Sequence, residues 1–259
     1  MPHLGAVRAA HFPFSLIAAI VALALAGCNG SSSTPSAGPA KAQVRFAEGA
    51  PKLEALVNGV PQDLGTTYLT VNGATVALSF SYGTFTPFVP VSAGTLTLNA
   101  LSPIGYQLGP VKTDAAVTAG KSYTVVLVGA YPKYTALVFP EPPASTGASL
   151  SLYEASPSHA SADFGSFVVS KHSGFKKLGS ARYGSVVTVS VGKSVSDFGG
   201  YVGNGTRPFG NGTISVSSVN PSDTTNSLPF NNVNRLSLFL FDPNPGGAPA
   251  GPVFGSLDQ

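Results

Sequence analysis

Residues 67–78 have the sequence TYLTVNGATVAL, in which two runs rich in β-branched and apolar residues flank an Asn-Gly pair. Asn and Gly both tolerate the positive φ angles that a two-residue turn between antiparallel strands requires. Runs of this composition, bounded by turn residues, are typical of β-strands. The stretch therefore predicts a β-hairpin with its turn at Asn72-Gly73.

Similar runs recur along the chain, separated by Gly, Pro and Asn, and they predict strands at residues 43–46, 67–71, 75–80, 84–91, 95–101, 122–128, 149–153, 167–169, 185–191, 213–219 and 236–241. Further Asn-Gly pairs predict turns at Asn58-Gly59, Asn204-Gly205 and Asn211-Gly212. No stretch keeps a helical period over three turns without a Gly, a Pro or a β-branched residue. The sequence therefore predicts an all-β fold with little helix.

The length of 259 residues exceeds the usual single-domain size of about 100–200 residues. Consecutive prolines followed by small polar residues at 141–147 have the composition of an interdomain linker. We therefore expect one domain at 42–143 and a second at 148–245. The Pro-, Gly- and Ala-rich residues 246–259 are predicted to form a flexible tail.

The two predicted domains share short stretches of sequence. Residues 42–51 align with 148–157, where Ala, Glu and Pro coincide, and residues 80–84 align with 181–185, where Tyr-Gly coincides. We expect two tandem, immunoglobulin-like β-sandwich domains, of which the second is a diverged repeat of the first.

The first 27 residues are typical of an export signal, with Arg8 in a short polar start and an uncharged stretch over residues 12–27. A membrane-spanning helix usually needs about 20 apolar residues. The stretch ends in Leu25-Ala26-Gly27-Cys28, which resembles the lipobox of bacterial lipoproteins. That resemblance implies cleavage between Gly27 and Cys28 and diacylglycerol on the Cys28 sulfur. A plain secretory signal and an uncleaved membrane anchor are the alternatives.

Residues 28–41 are rich in Ser, Gly and Pro and are predicted to form a flexible tether to the lipid. Fully extended, it would reach at most roughly 45 Å. The resemblance to lipoproteins whose second residue is not Asp implies that Asn29 directs the protein to an outer membrane, if the cell has one. We expect a location in the cell envelope, facing away from the cytoplasm.

Composition argues against several classes of function. The net charge is +3 and only 10% of residues are charged, without a basic cluster beyond the pair Lys176-Lys177, so no nucleic-acid partner is expected. The single cysteine precludes an internal disulfide and a site built from several thiolates. The dispersed acidic residues lack the spacing of a calcium loop, and no metal or cofactor site is predicted.

No catalytic residues are predicted. Two Gly-Lys-Ser triplets, 120–122 and 192–194, lack the earlier Gly of a phosphate-binding loop, so each Gly is interpreted as the turn before a strand and no nucleotide partner is expected. A Ser-His-Asp triad is numerically possible, but no Gly-x-Ser-x-Gly motif supports one. Its candidate members are His159 or His172 with Asp163 or Asp197.

Three segments of the first half resemble the domain of unknown function 4397 group of bacterial cell-envelope proteins. They are residues 42–46 with 50–51 and 57–59, residues 82–95, and residues 117–126. The resemblance covers about residues 42–140 and implies an exported, often duplicated β-sandwich domain. It supplies no catalytic residues.

Together these observations predict a lipid-anchored, non-enzymatic envelope protein that acts as a structural, adhesive or ligand-binding module. An alternative is a lipoprotein that binds carbohydrate or another surface polymer through loop tyrosines, with Tyr131, Tyr134 and Tyr201 as candidates. An envelope hydrolase is a third hypothesis, which would require two carboxylates, or a His and an acid, to meet in one cleft.

Overall fold

The computed structural model describes residues 40–143, 149–168, 173–191, 197–201, 208–214, 235–242 and 253–258, all within one compact unit, Pro39–Gln259. The regular structure of these residues consists of β-strands, and none of them is helical. The predicted all-β class with β-sandwich packing is confirmed.

The first half contains ten strands: β1 (Lys41–Glu48), β2 (Glu54–Val57), β3 (Val60–Asp63), β4 (Thr67–Val71), β5 (Ala74–Phe80), β6 (Val89–Ser92), β7 (Thr97–Leu101), β8 (Val111–Lys112), β9 (Ser122–Ala130) and β10 (Lys133–Pro140). They form an inner sheet of order β10-β9-β1-β6, an outer sheet of order β5-β4-β7-β8, and the separate hairpin β2-β3. All neighbours are antiparallel except β1 and β9, which are parallel.

The second half contains β11 (Ser149–Glu154), β12 (Ser161–Val168), β13 (Ser173–Arg182), β14 (Ser185–Ser190), β15 (Asp197–Tyr201), β16 (Pro208–Ile214), β17 (Arg235–Leu240) and β18 (Val253–Asp258). Its inner sheet has the order β14-β11-β17-β18 and its outer sheet the order β13-β12-β15-β16. Apart from the hairpin β2-β3, these strands repeat the connectivity of the first half, including one parallel pair, β11 with β17.

The alignment of the two halves coincides with their structural register. Glu48 is the last residue of β1 and Glu154 the last residue of β11. The carbonyl oxygen of Glu48 accepts a hydrogen bond from Gly83 N–H at 2.8 Å, and that of Glu154 accepts one from Gly184 N–H at 2.9 Å. Both glycines have positive φ, 78° and 73°, which suits a residue without a Cβ.

The four sheets are stacked in four layers with a hydrophobic core between each neighbouring pair. The first core joins the outer and inner sheets of the first half, and the second joins those of the second half. The third core lies between the two inner sheets and combines Val126, Val128 and Phe139 with Tyr153, Phe239 and Phe241. The central strands are therefore buried on both faces, which explains their nearly continuous apolar sequence.

The structure differs from the predicted strand positions in several places. Residues 84–88 precede β6 and are not part of it, Asn211-Gly212 lies inside β16 and not in a turn, and residues 253–258 of the predicted tail form β18, paired with β17. The division into domains at 42–143 and 148–245 stays a prediction. The two halves nevertheless share a core across the predicted linker.

Candidate functional site

Aromatic rings from both halves fill the junction between the two inner sheets. The rings of Tyr153 and Phe239 stack with centroids 4.2 Å apart, and Phe85 lies 4.9 Å from Phe239. Phe139 meets Tyr153 edge-on at 5.4 Å. Such pairs stabilise a core beyond the area they bury, by about 0.5–1.5 kcal/mol each.

On its central strands, the first half has small side chains at the positions equivalent to the large rings of the second half. The register places Ala47 beside Val126 in the first half, where the second half has Tyr153 beside Phe239. Gly49 lies so close to Phe241 that a Cβ there would be 2.7 Å from the Cδ1 atom. The two faces therefore fit as large side chains against small ones.

A buried ion cluster lies at one end of this junction and is centred on Glu141, the first residue of the predicted linker. Glu141 Oε1 lies 3.2 Å from Arg45, and Oε2 lies 3.1 Å from Arg235 and accepts a hydrogen bond from the Tyr153 hydroxyl at 3.2 Å. The side chains of Arg45 and Glu141 are 3% and 5% exposed. Removing one member of such a cluster leaves an uncompensated buried charge.

Arg45 is held by groups from both halves. Its Nε donates to Thr124 Oγ1 at 2.6 Å, and its guanidinium also donates to Ser237 Oγ at 3.2 Å. The guanidinium carbon lies 5.2 Å from the centre of the Phe88 ring and 5.5 Å from that of Phe239. Every direction of the guanidinium is therefore occupied by a hydrogen-bond or ring partner, which is typical of a structural cation.

A second polar cluster lies where β17 ends. Ser156 Oγ donates a hydrogen bond to Asp242 Oδ1 and lies 2.9 Å from His159 Nδ1. Ser158 donates to Asp242 through both its backbone N–H and its hydroxyl. Tyr82 of the first half donates its phenol to the carbonyl oxygen of Asp242. The cluster closes the turn after β11 and joins it to the first half.

This arrangement differs from a nucleophilic triad. In a triad the imidazole lies between the serine and the acid, whereas here the buried Ser156 hydroxyl lies between Asp242 and His159. Burial lowers the pKa of His159, and the charge of Asp242 partly offsets this. Of the other predicted candidates, Asp163 lies elsewhere, bound to Lys177 at 2.8 Å, while His172 and the Asp197 side chain lie outside the described residues.

Two glutamates at equivalent positions are buried, which the sequence analysis did not predict. Glu48 and Glu154 are 2% and 0% exposed, and their Oε2 atoms make no hydrogen bond within the part of the chain that the structure describes. Burial and then the charge of Asp63 raise the pKa of Glu48 to about 8. Burial also raises the pKa of Glu154 to about 8, against a hydrogen bond from Ser156 N–H, and Asp242 adds to the rise. The shared Glu in the two aligned segments was the available signal.

A cleft of about 420 Å³ opens beside the second polar cluster, between the loop after β1 and the turn after β11. Its walls include Lys52, Glu54, Ser158 and Asp242. Two carboxylates, those of Glu54 and Asp242, therefore line one cleft, as the hydrolase hypothesis requires. However, Ser158 and Ser156 already occupy the carboxylate oxygens of Asp242.

Tyr134, one of the predicted ligand-binding tyrosines, is hydrogen-bonded to the backbone through its hydroxyl group. The Tyr134 hydroxyl accepts a hydrogen bond from Glu54 N–H at 2.9 Å and donates one to Lys52 O at 3.1 Å. Its ring lines a cavity of about 380 Å³ with Pro132 and Lys112. Tyr131 lies just before this strand, and the side chain of Tyr201 lies outside the described residues.

Other predicted features are placed as follows. Gly120, with φ 74°, forms the turn before β9, as the sequence indicated for the first Gly-Lys-Ser triplet. Gly27 and Cys28 lie outside the described residues. Among residues with a described structure, no three His, Cys, Asp or Glu side chains are arranged to hold a metal ion. A search of the same residues for a helix long and apolar enough to cross a bilayer finds none.

The fold and the junction define a protein with two stacked β-sandwiches that share a central core. Residues 42–164 match the model of the family described as Domain of unknown function (DUF4397). This part of the chain belongs to that family, and the resemblance seen in the sequence is confirmed. No curated protein matches the sequence.

Proposed function

We propose that this chain is a lipid-anchored, non-enzymatic protein of the bacterial cell envelope that acts as a structural, adhesive or ligand-binding module. The observation that carries the proposal is the third core, where the aromatic residues of the second half pack against the first half. A pair of sandwiches joined in this way moves as one body, unlike domains joined by a small polar interface.

The ion cluster supports the same view. Glu141 follows β10 in a stretch with linker composition, yet it binds Arg45 of the first half and Arg235 of the second. Glu141 is therefore fixed by both halves and is not itself a flexible hinge residue. The proposal is therefore a rigid body on a flexible tether, with residues 28–41 as the tether and Cys28 as the lipid attachment point.

The experiment that tests the anchor compares wild type with Cys28→Ser, expressed in a bacterium that processes lipoproteins. We expect the wild type to lose residues 1–27, gain the mass of acyl chains and enter the detergent phase. Two or more acyl chains are needed for stable anchoring. Ser32→Ala, which keeps Leu25 to Cys28 unchanged, is the matched control. An unacylated wild type in the aqueous phase would overturn the anchor.

A carbohydrate- or surface-polymer-binding protein is the second candidate. It is favoured by the exposed Tyr68 on the outer sheet of the first half. An envelope hydrolase is a third candidate because Glu54 and Asp242 line one cleft and His159 belongs to the adjacent polar cluster. Hydrolysis of an ester or glycoside panel by the purified protein, lost in His159→Ala or His172→Ala, would favour it over the non-enzymatic proposal.

A further inference from the structure

The outer surface of the first half's outer sheet carries a row of exposed side chains. Tyr68 on β4 pairs with Leu101 on β7, and Leu101 forms a bridge with Gln107. Because cross-strand partners point to the same face, these side chains lie on the face opposite the buried Leu69. We name this surface, made of Tyr68, Thr70, Leu78, Asn99, Leu101 and Gln107, the Tyr68 face.

Two members of the Tyr68 face are strongly exposed for apolar residues. Tyr68 is 39% exposed and Leu78 is 75% exposed. Leu78 lies beside Tyr68, since Ala77 pairs with Leu69 and Phe80 with Thr67. Exposed apolar residues that lie together on one surface mark interaction sites more often than exposed apolar residues that are scattered.

In the second half, the position equivalent to Tyr68 is occupied by a charged residue, Asp163. Thr67 pairs with Phe80 and Ala162 pairs with Ala181, so Tyr68 and Asp163, the next residue in each case, are equivalent. Asp163 forms an ion pair with Lys177 at 2.8 Å and accepts a hydrogen bond from Ser180 at 2.6 Å. The sandwich fold therefore accommodates a charged, solvated residue here, and does not itself require an exposed aromatic ring.

The other members of the Tyr68 face are uncharged hydrogen-bonding groups held in fixed positions. Asn99 donates its side-chain amide to Gln107 Oε1 at 3.1 Å and accepts from Gly109 N–H at 3.1 Å. Thr70 donates to the carbonyl oxygen of Asn99 at 3.3 Å. Lys112 stands on β8 at the border of the surface. Such preorganised amides lose little entropy when a ligand binds.

We propose that the Tyr68 face binds an uncharged polysaccharide, with the Tyr68 ring stacked on a sugar ring and the Asn99–Gln107 pair bound to its hydroxyl groups. A pyranose ring presents one face of C–H groups, which fits an aromatic ring, and a rim of hydroxyl groups, which fits neutral amides. All six members are uncharged, and one charged residue, Lys112, lies at the border, where it pairs with Thr97. A surface with so little charge matches a ligand without charge. The inference deepens the proposed function by naming a ligand class, and it does not depend on the lipid anchor.

A protein partner fits this surface less well. A standard protein interface buries about 800 Å² on each side around a continuous apolar centre. On the Tyr68 face, the apolar side chains form a single row, Leu78, Tyr68 and Leu101, and the polar pair Thr70 and Asn99 lies directly beside it. The apolar surface is therefore a narrow strip and not the broad apolar centre of a protein interface.

The test measures retention of the purified full-length protein on cellulose and chitin, and its retardation in gels that contain dextran or mannan. We expect retention by at least one of these glycans, undiminished in 1 M NaCl because no ion pair contributes. Tyr68→Ala should weaken binding at least tenfold, and Tyr68→Trp should keep it. Tyr183→Ala is the matched control, since Tyr183 is 37% exposed but lies in the second half.

Several results would overturn the proposal. They are absence of binding to every uncharged glycan, equal losses in Tyr68→Ala and Tyr183→Ala, and binding to dextran sulfate that salt abolishes. Capture of an envelope protein through Tyr68 without any glycan binding would also do so. Thermal unfolding of each variant checks that it is folded. Acylation and membrane partitioning do not depend on Tyr68, so failure here is distinguishable from failure of the anchor.

Discussion

The two halves have the same strand connectivity but have diverged on the faces that point away from their own cores. At the junction, the first half presents Ala47 and Val128 where the second half presents Tyr153 and Phe241. On the outer sheets the first half has the uncharged Tyr68 where the second has the ion-paired Asp163. The difference shows that connectivity and register tolerate very different side chains on outward positions.

A physical reason explains the divergence at the junction. Two identical faces that meet across a pseudo-symmetric interface would place large side chains against large ones, or leave gaps between small ones. Interiors are packed as densely as organic crystals, so neither arrangement is stable. On the central strands, the second half has the large rings of Tyr153 and Phe239 where the first half has Ala47 and Val126, so that large side chains lie against small ones.

Phe239→Ala should cause a large loss of stability, because Phe239 is fully buried, stacks on Tyr153 in its own sheet and contacts Phe85 across the junction. Removal of a buried Phe side chain typically costs about 3–5 kcal/mol. The equivalent change in the first half, Val126→Ala, removes fewer atoms and should cost about 2 kcal/mol. Chemical denaturation of both variants measures the difference.

Phe88→Ala serves as a control, because Phe88 is 40% exposed and contacts the same Arg45 guanidinium as Phe239. We expect it to cost about 1 kcal/mol or less. If Phe239→Ala and Phe88→Ala had similar effects, the aromatic junction would not hold the halves together. Two separate unfolding transitions in the wild type would contradict the rigid pair directly.

The buried glutamates should make stability fall as pH rises from about 4.5 to about 8. Below 4.5 each carboxyl is protonated in both states; between the two values the unfolded chain loses the proton while the folded chain keeps it, with its pKa of about 8. Above this range both states are ionised and the loss is complete. The rise of each pKa from 4.5 to about 8 corresponds to a loss of roughly 5 kcal/mol for each glutamate.

Glu48→Gln and Glu154→Gln test whether the two equivalent sites behave alike. Each variant removes one titration and should flatten the pH profile of the free energy of unfolding between 4.5 and 8, and the double variant should flatten it most. Glu54→Gln, which changes an incompletely buried glutamate of β2, is the control. A steep fall that persists in the double variant would show that other groups cause the pH dependence.

Gly184→Ala should reduce the free energy of unfolding less than Phe239→Ala does and less than ionisation of the buried glutamates does. Gly184 has a φ of 73°, which is costly for Ala, but nothing lies within 4 Å of the position that its Cβ would take. Strain alone predicts a loss of about 1 kcal/mol. Gly83→Ala, at the equivalent turn, should cost a similar amount. Thermal or chemical unfolding of both measures this, and a much larger effect in one half would indicate that the turns are not equivalent.

Much of the secondary structure was predictable because its causes are local. The hairpin at Asn72-Gly73 has φ values of 49° and 83°, as the pair predicts, and Asn58-Gly59 forms the same turn between β2 and β3. The flanking strands β2 and β3 were not predicted, because they are short and exposed. Residues 84–88 were assigned to a strand, whereas the structure has only an isolated bridge there, between Phe85 and Ala47, and the Phe85 ring packs at the junction.

The candidate site was less predictable than the fold. The sequence drew attention to His159, and the structure shows it beside Ser156, but no pattern indicated that Asp242 would complete the cluster from far along the chain. The loop tyrosines were chosen because loops often carry function, yet Tyr134 is bound to the backbone of residues 52 and 54. The exposed Tyr68 stands within a strand, where sequence composition alone predicts burial as readily as exposure.

The all-β class, the hairpin turns at Asn58-Gly59 and Asn72-Gly73 and the register of the repeat could be read from the sequence alone, because φ preferences and strand composition act over a few residues. The burial of Glu141 at the centre of an ion cluster and the exposure of Tyr68 became visible only in the folded structure. The residues that make these contacts are far apart in the sequence: Arg45 and Glu141 are separated by 96 positions, and Arg45 and Ser237 by 192. Contacts over such separations depend on how whole sheets stack, which no short stretch of sequence records.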